Sequence, residues 1–302
     1  HHVEHPLGGA LILRGIVQDA LCHAVRIQDL VAICLAVLGQ CDGARKAVLI
    51  EQKSVLHQSR TIRAEHLIHE LLDALIGKVD VVIQSFLPET ADKLGVGYNR
   101  LRDLNSDLIY CSISGYGARG PLRNKPGYDT MVAAYAGLFA LTGEPDRPPV
   151  RLGVAAIDMS TGMLAYSGIV SALLARERGA GGQRVDASLL ESGVTLLGYQ
   201  GVAWTAGGVL VEREGAGFTR ISPYGVYRAR DGELLIGAPS DSMWAKLCDV
   251  LGALSLMENT RYRSNETRCH HDEALRDDME AILATEDVKT WTDRLETAGV
   301  AT

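Results

Sequence analysis

The stretch from Val150 to Ala175 reads VRLGVAAIDMSTGMLAYSGIVSALLA, and the fold turns on how it divides. A β-like run carried by Val150, Leu152 and Val154 leads to Asp158. The small residues Ser160, Thr161 and Gly162 then open a strongly apolar helical segment. This division places one carboxylate at a strand-to-helix junction. In an open α/β sheet such junctions lie at the carboxyl ends of the strands, where ligands bind. Asp158 is therefore the candidate for chemistry. The competing reading is an ordinary N-cap, since Asp is a favoured capping residue and Ser160 or Thr161 could share that task.

Working outward toward the N-terminus, β and α signals alternate. Lys46 to Glu51 reads as a strand, Ala64 to Ile76 as a helix and Val79 to Phe86 as a buried strand. Short helices follow near Thr90 to Leu94 and Tyr98 to Leu104, then a strand over Leu108 to Ser114. Such spacing implies parallel pairing through right-handed crossovers and a doubly wound sheet. Ser114-Gly115-Tyr116-Gly117 suits a turn with close backbone approach to a ligand, or a plain turn. Pro126-Gly127-Tyr128-Asp129 opens a helix through Leu141. Further upstream, Ile16 to Leu38 reads as one amphipathic helix, and residues 1 to 43 offer nothing catalytic.

Toward the C-terminus, Gly181-Gly182 leads to a strand, Gln183 to Leu189, and a long helix to about Ala206. Residues 207 to 222 are glycine-rich and polar and mark a domain boundary. Pro223 to Ala238 reads as a β-hairpin turning at Asp231-Gly232. Helices follow over Ser240 to Leu251, Asp272 to Ala284 and Val288 to Ala298. The expected organisation is a large α/β domain over 1–206, a linker over 207–222, and a smaller α+β domain over 223–302.

Composition bounds the function. At 302 residues there is ample material for a buried core. With 47% hydrophobic and 22% charged residues the chain reads as a globular protein. A net charge of −7 argues against nucleic-acid or anionic-membrane binding, which need a basic surface. The most apolar early run, Leu30 to Leu38, is far short of the roughly 20 residues that cross a bilayer. Cys22, Cys34, Cys41, Cys111, Cys248 and Cys269 lack paired spacing and read as reduced thiols of a cytoplasmic protein. Cys269-His270-His271 reads as a polar turn before a helix, so no metal is expected. The chain opens with His1-His2 rather than methionine and reads as a possible fragment.

Five segments then carry a resemblance. Asp80 to Pro121 (DVVIQSFLPETADKLGVGYNRLRDLNSDLIYCSISGYGARGP), Pro126 to Gly153 (PGYDTMVAAYAGLFALTGEPDRPPVRLG), the Asp158 stretch, Gly181 to Ser192 (GGQRVDASLLES) and Ser222 to Gly252 (SPYGVYRARDGELLIGAPSDSMWAKLCDVLG) occur in order. Together they resemble the family III CoA-transferases, the CaiB/BaiF group of formyl-CoA transferase, carnitine CoA-transferase and α-methylacyl-CoA racemase. The likeness runs from about Gly43 to Val300.

The resemblance implies an enzyme acting on acyl-CoA and a small carboxylic acid, with a Rossmann-like large domain that binds coenzyme A, a small α+β domain, and an interlocked homodimer. It implies that Asp158 is the nucleophile that forms a covalent aspartyl intermediate. An aspartate with a reference pKa near 3.9 needs no help to ionise, so the backbone N–H groups near Asp158 are assigned to orienting it and stabilising the oxyanion. Tyr128 falls where transferases of the group often carry an aromatic residue and the racemases a histidine. A tyrosine is a poor base at neutral pH, which favours transfer, while an apolar packing role for Tyr128 stays open. Gly215 and Gly217 lie where formyl-CoA transferase has a glycine loop over the intermediate, and an interdomain linker is the alternative. Ser85, Phe86, Lys93 and Gly115 match positions around the CoA nucleotide, with a bland surface lysine the alternative for Lys93. The sequence departs from the family in residues 1 to 43, in Leu87-Pro88-Glu89 where arginine-proline-glycine is common, and in ending at Thr302. The alternatives to a transferase are a racemase or isomerase acting at Cα and a truncated, inactive homologue.

Overall fold

The computed structural model describes the backbone of residues 47–50 and, with side chains, residues 69, 70 and 72–302. The helix expected over Ile16 to Leu38, residues 1 to 43 as a whole, the thiols Cys22, Cys34 and Cys41, and the start of the Ala64 to Ile76 helix lie outside the described residues. Of that last helix, residues 69, 70 and 72–76 are helical.

Four strands, β1 (Ala47–Ile50), β2 (Val81–Gln84), β3 (Ile109–Ser114) and β4 (Arg184–Ser188), form one sheet in that order, every pairing parallel. Parallel strands are covered on both faces and read as near-continuous apolar runs, as VVIQ and IYCSIS do here. Alternation along each strand sorts the core. Val81, Ile83, Ile109, Cys111 and Ile113 face one apolar cluster, while Val82, Leu108 and Tyr110 face another. The second cluster is completed by Ala91 of α1 (Pro88–Lys93) and Leu101 of α2 (Tyr98–Leu104).

The other face is covered by α3 (Asp129–Ala136), the short α4 (Leu138–Leu141), α5 (Ala156–Ala175) and α6 (Leu189–Leu196). The helix expected to run unbroken to Leu141 stops at Gly137, whose φ of 97° no β-carbon residue adopts cheaply. The long helix after β4 is likewise split, at Gly198 with φ 54°, into α6 and α7 (Tyr199–Gly207). By length and composition Ala156–Ala180 would suffice to cross a bilayer. Its face carrying Ile157, Thr161, Ala165, Ile169, Ala172 and Leu173 is instead buried against the sheet and α6, the stripe of a core helix. Gly168 permits the approach: a β-carbon there would lie 2.7 Å from Val185 Cγ1.

The chain divides into two compact units. One ends at Phe139 and resumes over Arg151–Val211, and the other comprises Ala140–Val150 with Glu212–Thr302. The second unit thus includes an excursion that sequence patterning assigned to the large domain. Arg213 holds it there, Nε donating to the Glu144 carbonyl at 3.1 Å and a terminal nitrogen to the Arg147 carbonyl at 2.7 Å. The hairpin of β5 (Tyr224–Arg228) and β6 (Glu233–Gly237) is antiparallel as expected. It packs with α8 (Asp241–Val250), α9 (Leu254–Glu258), α10 (Asn265–His270), α11 (Asp272–Leu283) and α12 (Val288–Ala298). Cys269 and His270 close α10 rather than forming a turn.

Arg268 is fully buried in this unit. It donates to the carbonyls of Ser222 and Tyr262 and to Asp241 at 2.6, 3.1 and 2.9 Å, partners that a buried guanidinium requires.

Candidate functional site

The run Val150 to Val154 is not a strand, so Asp158 does not sit at a strand-to-helix junction. It occupies the third position of α5, whose N-cap is Ala155. Asp158 is therefore not the cap either. That task falls to Asp129, the first residue of α3, whose Oδ2 accepts the N–H groups of both Ile157 and Asp158 at 3.0 Å. Two helix N-termini meet at one carboxylate, where orphan N–H groups and the helix dipoles favour negative charge. Sequence reasoning missed Asp129. The available signal was an aspartate opening one helix while the α5 N-terminus lacks a capping residue of its own.

This arrangement overturns the assignment of the nearby N–H groups to an oxyanion. Those of Ile157 and Asp158 belong to Asp129, that of Met159 to the Ala155 carbonyl and that of Ala156 to the Val154 carbonyl. The electrostatics of Asp158 are set by its surroundings rather than by the helix terminus. Asp158 is half-buried, and burial first, then the nearby Asp129 carboxylate, push its pKa up to about 6. No hydrogen bond from the described residues holds its charged form. At neutral pH it is still mostly anionic, and a more basic carboxylate is a stronger nucleophile than an ordinary aspartate.

Gly115 proves to be a packing glycine. A β-carbon on it would lie 2.7 Å from the Gly127 backbone, so the close approach is to the chain itself. That contact, with Leu190 N–H donating to the Gly115 carbonyl at 3.0 Å, ties the turn after β3 to Tyr128, Asp129 and α6. Asp158 is thereby linked to the carboxyl edge of the sheet, by a route different from the one its sequence suggested. Tyr128, beside Asp129, is 73% exposed and so is not part of the first unit's core.

Ser85 and Phe86 follow β2 at the same edge. Ser85 is exposed, but Phe86 is 4% exposed within the core. Its ring lies in the apolar cluster that also holds Ile76, Val82 and Leu101, so it is not placed to stack on a ligand. Gln84 fixes this turn, its Oε1 accepting the Phe86 N–H at 2.7 Å and its Nε2 donating to Ser112 Oγ at 2.8 Å. Lys93 is exposed at the end of α1. Gly215 and Gly217 belong to the second unit. Gly215, at φ 59°, donates its N–H to the Gly143 carbonyl, and Gly217 donates to the Glu214 carbonyl.

Residues 66–302 match the model of "CoA-transferase family III". An acyl-CoA transferase of Fusarium pseudograminearum is 42% identical over 76% of the chain, a match covering 51% of that protein. The acetyl-CoA:oxalate CoA-transferase of Acetobacter aceti is 36% identical over 75% of the chain and 58% of its own length. The crystal structure of a CaiB/BaiF family protein from Brucella suis superposes with TM-score 0.69 at 34% identity, covering 80% of this chain and 63% of that one. The chain thus spans about half the length of the curated relatives it matches.

Proposed function

The chain belongs to CoA-transferase family III, and from that premise we propose that it transfers coenzyme A from an acyl-CoA to a small carboxylic acid through a covalent intermediate on Asp158. The observation that carries this reading is a half-buried carboxylate of raised pKa, without a hydrogen bond to its oxygens among the described residues, in a helix first turn whose amides another carboxylate has taken. Such a group is anionic, poorly solvated and unencumbered, which is what attack on a thioester requires.

The Asp158 carboxylate adds to the thioester carbonyl and expels CoA thiolate, giving a mixed acyl-aspartyl anhydride. The thiolate returns to the aspartyl carbonyl and releases the donor acid, leaving an aspartyl-CoA thioester. The acceptor carboxylate attacks that thioester, forms a second anhydride and expels the thiolate once more. The thiolate then attacks the acceptor's acyl carbon, yielding the new acyl-CoA and free Asp158. Atoms balance at each step and no external oxidant or base is consumed. Because the first-turn amides are occupied, the oxyanion donors are groups other than those of residues 156–159.

Coenzyme A enters as a thioester substrate, with Lys93, Ser85 and Gly115 proposed to border its nucleotide. The oxalate named for the Acetobacter aceti relative is the first acceptor to assay. The proposed assembly is a homodimer. Met131 of α3, Met163 of α5 and Trp204 of α7 leave large apolar side chains exposed on the first unit, a surface suited to a second copy.

Incubation with acyl-CoA followed by hydroxylamine is expected to leave a hydroxamate on Asp158, read by mass spectrometry. Turnover without any such adduct would reject the covalent route.

A further inference from the structure

Two buried hydroxyls meet where α5 packs on α6 beside the apolar cluster. Thr161 is 0% exposed and Ser192 1%, and their oxygens lie 2.7 Å apart. Ser192 gives its only proton to the Ser188 carbonyl at 2.9 Å, which leaves its oxygen open as an acceptor for the Thr161 hydroxyl. The other acceptor within reach of Thr161 is the Ile157 carbonyl, also at 2.7 Å. A bond from a helical threonine back to the preceding turn is ordinary, but one that crosses to a second helix beside an apolar cluster is not.

Burying two hydroxyls adds little net stability, because each must first be stripped of water. What the pair adds is direction. A methyl group packs in many rotations, whereas a buried hydroxyl pair is satisfied in few. The residue so held is Ile157, the immediate neighbour of Asp158. Its N–H is bound by Asp129, its carbonyl lies against Thr161, and its side chain fits over Gly193, where a β-carbon would come within 3.1 Å of Cδ1.

We propose that Thr161 and Ser192 are positioning residues for the Asp158 carboxylate, locking the first turn of α5 in rotation against α6. The proposal rests on Asp158 being the nucleophile, as argued above, and it adds two residues that do not touch substrate. Thr161→Val keeps the branched shape and deletes the hydroxyl, while Thr161→Ser keeps the hydroxyl and deletes the methyl.

In the full chain, Thr161→Val is expected to lower kcat about 10-fold or more with KM for acyl-CoA unchanged within about twofold, since small misplacements of a reacting group act on the chemical step. Thr161→Ser restores kcat to within about threefold. Amide exchange at Ile157 and Asp158 accelerates in Thr161→Val and not in Thr161→Ser. Ser192→Ala gives the same pattern as Thr161→Val and replaces it should that variant fail to fold. Parental kcat in Thr161→Val, or equal losses in Val and Ser variants that follow thermal stability alone, overturns the proposal. If the parent itself yields neither turnover nor hydroxamate, the reading of Asp158 as nucleophile fails, yet the exchange measurement still decides the positioning claim. Unchanged exchange in Thr161→Val and Ser192→Ala overturns it.

Discussion

Two carboxylates at the start of α5 have opposite duties. The Asp129 carboxylate is engaged by two N–H groups, whereas that of Asp158 has none among the described residues and is raised to about 6 by burial and by Asp129. An acid whose pKa is raised on folding binds more protons folded than unfolded between its two pKa values, so stability falls as pH rises from about 4 to 6 and is level above. Two units correspond to about 2.7 kcal/mol, and because Asp158 is half-exposed, solvent screening reduces this to about 1 kcal/mol. Asp158→Asn is therefore expected to unfold like the parent below pH 4 and to be about 1 kcal/mol more stable at pH 7 to 8, measured by denaturant titration across pH. Its transferase activity should be lost by orders of magnitude. In the parent, kcat/KM should fall tenfold per pH unit below about 6. Asp129→Asn keeps an oxygen for the two N–H groups but removes the charge. It should move this acid limb downward, though not to the ordinary aspartate value, because burial is the larger cause. A limb that stays in place would show that Asp129 exerts no electrostatic hold on Asp158.

At the scale of elements, close helix approaches at glycine decide where the site residues stand. A β-carbon on Gly193 of α6 would lie 2.9 Å from Ala136 Cβ and 3.1 Å from Ile157 Cδ1. In an exposed helix, glycine to alanine stabilises by about 1 kcal/mol through propensity. Here the methyl has no room and Ala136 cannot rotate away, so Gly193→Ala is expected to destabilise by about 1 to 3 kcal/mol in urea unfolding, with α5 displaced. A stabilised Gly193→Ala would mean that the α3, α5 and α6 contact is looser than described. Strands β2 to β4 and helices α8, α11 and α12 announce themselves by apolar period and turn residues. The Val150 to Val154 run also alternates, yet it pairs with no strand, because alternation records which side chains are apolar and not whether a neighbouring backbone is free to bond.

For the whole molecule, the exposed apolar residues of the first unit are the feature that a lone subunit leaves unexplained. Met163 is 56% exposed and Trp204 58%. Met163→Glu is expected to convert a dimer to a monomer by analytical ultracentrifugation while circular dichroism stays unchanged; a parent that sediments as a monomer would remove the homodimer from the proposal. The parallel α/β sheet, the hairpin of β5 and β6 and the family likeness could be read from the chain alone. All of these follow from local periodicity, turn chemistry and motif order, which are written in consecutive residues. It took the packing of distant residues to show that Asp129 caps α5, that burial and Asp129 raise Asp158, that Gly115 is closely approached by Gly127, that Phe86 is core, and that Ala140–Val150 joins the second unit. Each depends on which distant groups share a site: desolvation, charge pairing and steric room are properties of neighbours in space, and the order of residues along a chain does not record them.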